Sequence, residues 1–145
     1  MALDHGTKRI GVAFCDPGET LASPFAVWPN QGETTVARLA ALAREESAEG
    51  ILVGLPRHKD GNESATAPAA RALAESLRSA IRPSLPVVLW GEHLTTVEAD
   101  RRMAEAGTRR EARAERRDAV AAAIMLEEFI ASRRGRGIRT DASGT

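Results

Sequence analysis

Three carboxylates lie where predicted secondary-structure elements end or meet, and together they could bind metal ions. Asp4 ends a short apolar run before a glycine turn, Glu92 follows the last predicted strand, and Asp118 lies in the last predicted helix. If the three converge, they repel one another strongly unless cations lie between them. Two Mg²⁺ or Mn²⁺ ions about 3.5–4 Å apart would neutralise them and can drive the in-line hydrolysis of a phosphodiester.

Each carboxylate taken alone also has an ordinary structural explanation. Asp4 suits a hairpin turn, Glu92 could be a solvated residue ahead of a helix, and Asp118 could lie on a solvent-exposed helix face. The interpretation as a metal site therefore depends on the topology that positions the three residues.

Basic residues flank two of these acids. They could form a rim that holds the phosphates of a nucleic-acid strand, which adds affinity with little choice of sequence. For the arginine-rich segment before Asp118, the alternative is a solvated helix with ion pairs to interleaved glutamates. The residues predicted to contact phosphate are Lys8, Arg9, Arg113, Arg116 and Arg117.

The composition limits the class of protein. A chain of 145 residues that is 43% hydrophobic and 28% charged predicts one soluble globular domain over residues 1–134, with a flexible polar tail over residues 135–145. No apolar run is long enough to span a membrane, so we expect no membrane partner. The single cysteine excludes disulfide scaffolds and cysteine-rich zinc sites, and it fits a reducing cytoplasm.

The charge is unevenly distributed along the chain. Residues 101–145 hold 11 arginines and 7 acidic residues, a net charge of +4, although the whole chain has a formal net charge of zero. A basic C-terminal part on a mildly acidic body permits contacts with phosphates.

Hydrophobic periodicity and turn residues predict five strands and four helices. A meander of three strands comes first, and two strand–helix units follow it. The strands are predicted at residues 2–4, 10–15, 23–28, 51–55 and 86–90, and the helices at residues 33–48, 68–82, 95–106 and 108–133.

This order predicts an α/β fold, a five-stranded mixed sheet of an antiparallel meander plus two parallel strands, with helices on its faces. Right-handed crossovers make the last two strands parallel to the first, so Asp4 and Glu92 lie at the same edge of the sheet. If the strand at residues 51–55 lies between them, their backbones are about 10 Å apart, and Gly54 leaves the gap unfilled. Alanines after Asp118 let its helix approach the sheet closely.

Three blocks of sequence resemble a known family. They are Leu-Asp-His-Gly-Thr-Lys-Arg-Ile-Gly-Val-Ala at residues 3–13, Ile-Leu-Val-Gly-Leu-Pro at residues 51–56, and Glu-His-Leu-Thr-Thr-Val-Glu-Ala at residues 92–99. The chain resembles the YqgF-type pre-16S rRNA nucleases, which are related to Holliday junction resolvases. This resemblance implies a ribonuclease H-like fold and the cleavage of a phosphodiester bond, in the cytoplasm, during maturation of the 5′ end of pre-16S rRNA.

The resemblance also implies roles for particular residues. Asp4, Glu92 and Asp118 match the family's metal-binding acids, and Lys8 and Arg9 match its basic pair. The expected cofactors are two Mg²⁺ or Mn²⁺ ions, and the expected partner is nucleic acid, either pre-rRNA or branched DNA. The protein is expected to be a monomer or a weak homodimer.

The chain departs from the family pattern at two places. The family usually has Asp-Glu-Arg before Leu-Thr-Thr, whereas this chain has Gly91, Glu92 and His93. Loss of the arginine could weaken the orientation of Glu92 or a contact with phosphate. Only three residues precede Asp4, so either the first strand is short or the gene begins upstream.

Three other functions compete with an RNA nuclease. A DNA junction resolvase would use the same acids. The turn at residues 4–7 also resembles the first phosphate loop of sugar kinases and actin-like ATPases, but those proteins need a second lobe and a second phosphate loop. A ribosome-assembly factor that has lost catalysis would fit the changes at Gly91 and His93, and it would bind RNA equally well in EDTA.

Overall fold

The computed structural model describes the backbone of residues 1–56, 65–92, 101, 103–105, 107 and 110–142. The strands are β1 (Ala2–His5), β2 (Arg9–Cys15), β3 (Ala22–Pro29), β4 (Ile51–Pro56) and β5 (Val87–Glu92). The helices are α1 (Glu33–Glu45), α2 (Ala67–Ala80) and α3 (Arg110–Ala142). Of the helix predicted at residues 95–106, residues 101 and 103–105 are helical, and the others lie outside the described residues.

The five strands form one mixed sheet in the order β3-β2-β1-β4-β5. Strands β1, β2 and β3 pair antiparallel, whereas β1 pairs parallel with β4, and β4 pairs parallel with β5. The predicted fold class is therefore confirmed, because both crossovers return the chain in the direction of β1.

Helices α1 and α2 cover one face of the sheet. Their apolar residues recur at helical spacing, and among them Leu39 and Leu77 are fully buried. They pack against alternate residues of the strands, such as Leu3 on β1 and Val53 on β4. The burial of such side chains supplies most of the stability of this layer.

Helix α3 covers the other face through small side chains. Ala122 and Ala123 pack against Ala2 and Leu52 of the central strands. Further along the helix, Phe129 makes an edge-to-face contact with Trp90 of β5, with ring centroids 5.2 Å apart. Because alanine adds little bulk, the backbone of the helix lies close to the sheet at its N-terminal half.

Two of the differences from the predicted element boundaries concern the site and the C-terminal tail. Strand β5 extends to Glu92 and so includes the acid that was expected to follow it. Helix α3 continues to Ala142, beyond the predicted end near Arg133. Glycine in a helix costs about 1 kcal/mol relative to alanine, so Gly135 weakens the helix without stopping it. The flexibility of residues 135–145 stays a prediction.

Within the described residues, no helix is long and apolar enough to cross a bilayer.

Candidate active site

At Gly11, the backbone of α3 touches the backbone of the sheet. A Cβ atom built on Gly11 would lie 2.1 Å from both the carbonyl carbon and the carbonyl oxygen of Asp118, and 2.6 Å from the nitrogen of Ala119. No side chain larger than hydrogen fits between these backbones. Gly11 therefore permits the contact that brings Asp118 onto the sheet.

The register of the sheet brings Asp4 to the same place. Asp4 on β1 is the cross-strand partner of Gly11 on β2. Cross-strand partners share one face of a sheet and have Cα atoms about 4.5–5.5 Å apart. Asp4, which is half-buried, therefore lies on the α3 face beside the helix turn that carries Asp118.

Arg9 contacts the Asp118 carboxylate. Its Nε atom lies 3.5 Å from Asp118 Oδ2. Arg9 comes two residues before Gly11 on β2, so both positions belong to the α3 face. The structure thus places a predicted phosphate-binding residue against a predicted metal-binding acid.

The backbone of Glu92 lies at the same end of the sheet, two strands away from β1. Leu3 pairs with Val53, so Asp4 is level with Gly54, and Gly54 in turn pairs with Trp90. Glu92 follows Trp90 by two residues. Two strand spacings correspond to about 10 Å between β1 and β5, as predicted. The Glu92 side chain lies outside the described part of the structure.

Two elements carry the other predicted basic residues that the structure describes. Lys8 is exposed in the turn between β1 and β2, and its carbonyl oxygen accepts a hydrogen bond from the backbone nitrogen of Asn30 at 2.8 Å. Arg116 is exposed and Arg117 is half-buried, in the helical turn that leads to Asp118. The Arg113 side chain and all of His93 lie outside the described residues.

The described acids suit a hard divalent cation. Asp4 and Asp118 offer carboxylate oxygens, the ligands that Mg²⁺ and Mn²⁺ prefer, and Asp118 already lies against a positive charge. Among the side chains that the structure describes, which do not include Glu92, no group of three ligand-type residues is assembled. Metal binding by the three acids stays a prediction.

His5 supports the β1–β2 turn, a role that the sequence interpretation missed. Asn30 Nδ2 lies 3.3 Å from His5 Nε2 and donates to the carbonyl oxygen of Gly6 at 3.1 Å. Burial lowers the pKa of His5, because the charged imidazolium loses its hydration. The His5–Asn30 contact therefore positions the turn that carries Lys8 and Arg9.

Gly11 was also missed, although a signal for it exists. A glycine in the interior of a strand often marks a place where another backbone approaches closely. Gly11 stands between Ile10 and Val12, which are both fully buried. Its position in an otherwise apolar strand could have indicated the helix contact, but not the residue on the other side.

Comparison with known proteins identifies the family. The family model described as RuvX, Holliday junction resolvase, matches residues 1–132. The chain belongs to this family. The RuvX proteins are nucleases, so the chain is a hydrolase that acts on ester bonds.

Curated relatives and a solved structure agree with this assignment. A protein of Roseobacter denitrificans is 40% identical over 128 residues, which are 88% of this chain and 78% of the relative. One of Rhodopirellula baltica is 40% identical over 137 residues, which are 94% of this chain and 78% of the relative. Both carry the name "Putative pre-16S rRNA nuclease".

The fold is shared with the structure of Thermus thermophilus RuvC. The TM-score is 0.55 at 16% sequence identity, over 92% of this chain and 94% of that chain. The RuvX family member described here therefore has the ribonuclease H-like fold.

Proposed function

We propose that this RuvX family member is a divalent-metal-dependent endonuclease that cleaves pre-16S rRNA during maturation of its 5′ end, in the cytoplasm. The observation that carries the proposal is the contact of α3 with Gly11, which brings the turn bearing Asp118 beside Asp4. The names of the relatives supply the substrate.

The acids would bind metal, and the basic residues would bind the phosphates of the substrate. Asp4, Asp118 and Glu92 would hold the metal, and two bound Mg²⁺ or Mn²⁺ ions would supply an activated water and stabilise the leaving oxygen. Lys8, Arg9 and the arginines of α3 would hold the phosphates of the strand. Because these arginines precede Asp118 on the same helix, the strand would lie beside the acids.

Cleavage assays on pre-16S rRNA test the proposal. We expect Mg²⁺-dependent cleavage by the wild type, and a loss of at least about a hundredfold in Asp4→Asn and in Asp118→Asn, since each isosteric change removes a metal-binding charge. Both variants should keep the melting temperature of the wild type within a few degrees, because the acids are only half-buried.

The matched control is Glu45→Gln, an exposed acid on α1 on the other face of the sheet. It should cleave like the wild type. Cleavage that persists in Asp4→Asn would show that another site, or a contaminant, is responsible.

A second candidate is a resolvase of four-way DNA junctions. The description of the matching family favours it, and the RuvC structure shares the fold. The same variants should be assayed on a four-way DNA junction beside the RNA, because the preferred substrate is the one cleaved faster in parallel reactions. A protein that binds RNA equally in Mg²⁺ and EDTA and cleaves neither would instead be an assembly factor.

We also propose that the protein acts as a monomer or a weak homodimer. Its mass in solution, measured by light scattering across a range of concentrations, decides between these two states.

A further inference from the structure

The contact between Arg9 and Asp118 has the properties of an exchangeable ion pair. Its single described contact, from Nε to Oδ2 at 3.5 Å, is long for a hydrogen-bonded pair. The Arg9 side chain is 57% exposed and the Asp118 side chain 28% exposed. Ion pairs exposed to this degree contribute little stability and are readily replaced.

The backbone at Asp118 has little freedom to move. Its carbonyl group lies directly over Gly11, at a separation that excludes even a methyl group. The next residue of the helix, Ala119, is buried. A change of partner at the Asp118 carboxylate therefore requires rotation of the side chain and no shift of the helix.

We propose that Arg9 and the divalent ion compete for the Asp118 carboxylate. Arg9 is then a positioning residue, which holds Asp118 and offsets its charge until the metal binds. This inference rests on the proposed function, because it takes Asp118 as a metal-binding residue.

The competition follows from the size and charge of the two cations. A divalent ion such as Mg²⁺ binds a carboxylate oxygen at about 2.0–2.1 Å with two charges. The guanidinium of Arg9 has only one charge, which is delocalised, and it lies farther from the carboxylate oxygen than a bound metal ion would. The metal ion is therefore attracted more strongly and displaces it. The released guanidinium has a planar fork of donors that matches a phosphate, which is the second contact proposed for Arg9.

A calorimetric titration of the purified protein with Mn²⁺, in the absence of nucleic acid, tests the inference. We expect Arg9→Gln to bind Mn²⁺ about two- to fivefold more tightly than the wild type, since the competing cation is gone. Arg9→Lys keeps a positive charge, so its affinity for Mn²⁺ should lie between those of the wild type and Arg9→Gln. Thermal unfolding in EDTA verifies that each variant is folded.

Arg44→Gln is the control, because it removes the same charge from an exposed arginine of α1, on the other face of the sheet. At about 0.15 M salt, charges that are not in contact are largely screened beyond about 8 Å. We therefore expect Arg44→Gln to bind Mn²⁺ like the wild type. An equal gain in Arg44→Gln and Arg9→Gln would show a general effect of charge and would overturn the competition.

The two proposals fail in different measurements. If the wild type binds no Mn²⁺, the metal-dependent nuclease and the competition are both wrong. If the wild type binds Mn²⁺ and Arg9→Gln binds it no more tightly, the competition alone is wrong, and the nuclease proposal stands on its cleavage assay.

Discussion

At position 11, a hydrogen atom in place of a side chain determines how α3 meets the sheet. The atoms that a Cβ would strike are backbone atoms of Asp118 and Ala119, which cannot rotate away. The close approach of the helix to β2 therefore requires glycine at this position. It follows that the position of Asp118 relative to Asp4 depends on a residue that binds nothing itself.

The change Gly11→Ala tests this dependence. We expect it to destabilise the protein by about 1–3 kcal/mol or more, because the helix must move away from the sheet. The same shift should weaken Mn²⁺ binding, although no ligand is altered. Unfolding in urea and calorimetry measure the two effects.

Gly18→Ala provides a control at a second glycine. There a Cβ atom would meet no described atom closer than 3.5 Å, at Asp16 Oδ2. We expect a change in stability below about 0.5 kcal/mol and unchanged Mn²⁺ affinity. Equal effects at both glycines would contradict the role assigned to Gly11.

At the scale of elements, the loop between β2 and β3 is organised by a single carboxylate. Asp16 Oδ1 accepts hydrogen bonds from the backbone nitrogens of Thr20 at 2.7 Å and Leu21 at 2.8 Å, and Asp16 Oδ2 accepts one from the Thr20 hydroxyl. The loop also contacts α3, because Glu19 forms an ion pair with Arg133 at 2.7 Å. The two elements are thus joined at the end of the sheet opposite to the acids.

These hydrogen bonds make the loop sensitive to acid. The Thr20 hydroxyl and the two backbone donors lower the pKa of Asp16 from 3.8 to about 2. Because the folded pKa is depressed, the contribution of Asp16 to stability is complete above about pH 4. It is lost as the pH falls through about 2.

The change Thr20→Val removes the largest cause of this shift. We expect the pKa of Asp16 to rise towards 3.8, and the acid-induced loss of its stabilising contribution to begin at higher pH. A titration of the Asp16 carboxyl carbon by NMR measures the pKa directly. An unchanged midpoint would show that the backbone donors suffice.

At the scale of the whole molecule, nucleic acid is expected to bind at the face that carries α3. The formal net charge is zero, so binding to phosphates depends on local clusters of arginine and lysine. Lys8, Arg9 and Arg116 each lie within three residues along the chain of the α3–β2 contact between Gly11 and Asp118. These residues would hold a strand across the acids.

The salt dependence of RNA binding measures these contacts. We expect Arg116→Gln to reduce the slope of log K against log salt by about 1 for a labelled RNA hairpin in EDTA, because one phosphate contact is lost. Arg44→Gln, an exposed arginine of α1 on the other face, should leave the slope unchanged. If Arg116→Gln and Arg44→Gln had equal slopes, the RNA strand would not contact Arg116.

Much of the fold and part of the site could be predicted from local pattern. The uniformly apolar run at residues 51–55 predicted a strand covered on both faces, and the order of the elements predicted that Asp4 and Glu92 lie at one edge of the sheet. These predictions depend on residues near one another in the chain or on general rules of chain connection. The end of α3 was mispredicted, because glycine weakens a helix by an amount that other interactions can exceed.

By itself, the sequence determined the five strands, their directions, and the edge of the sheet at which Asp4 and Glu92 lie. The tertiary structure alone decided that Asp118 rests on Gly11 and contacts Arg9. Those partners are separated by about a hundred positions in the chain. Periodicity and turn chemistry act over a few neighbouring residues, whereas a contact between distant backbones depends on how whole elements pack, so no local pattern specifies it.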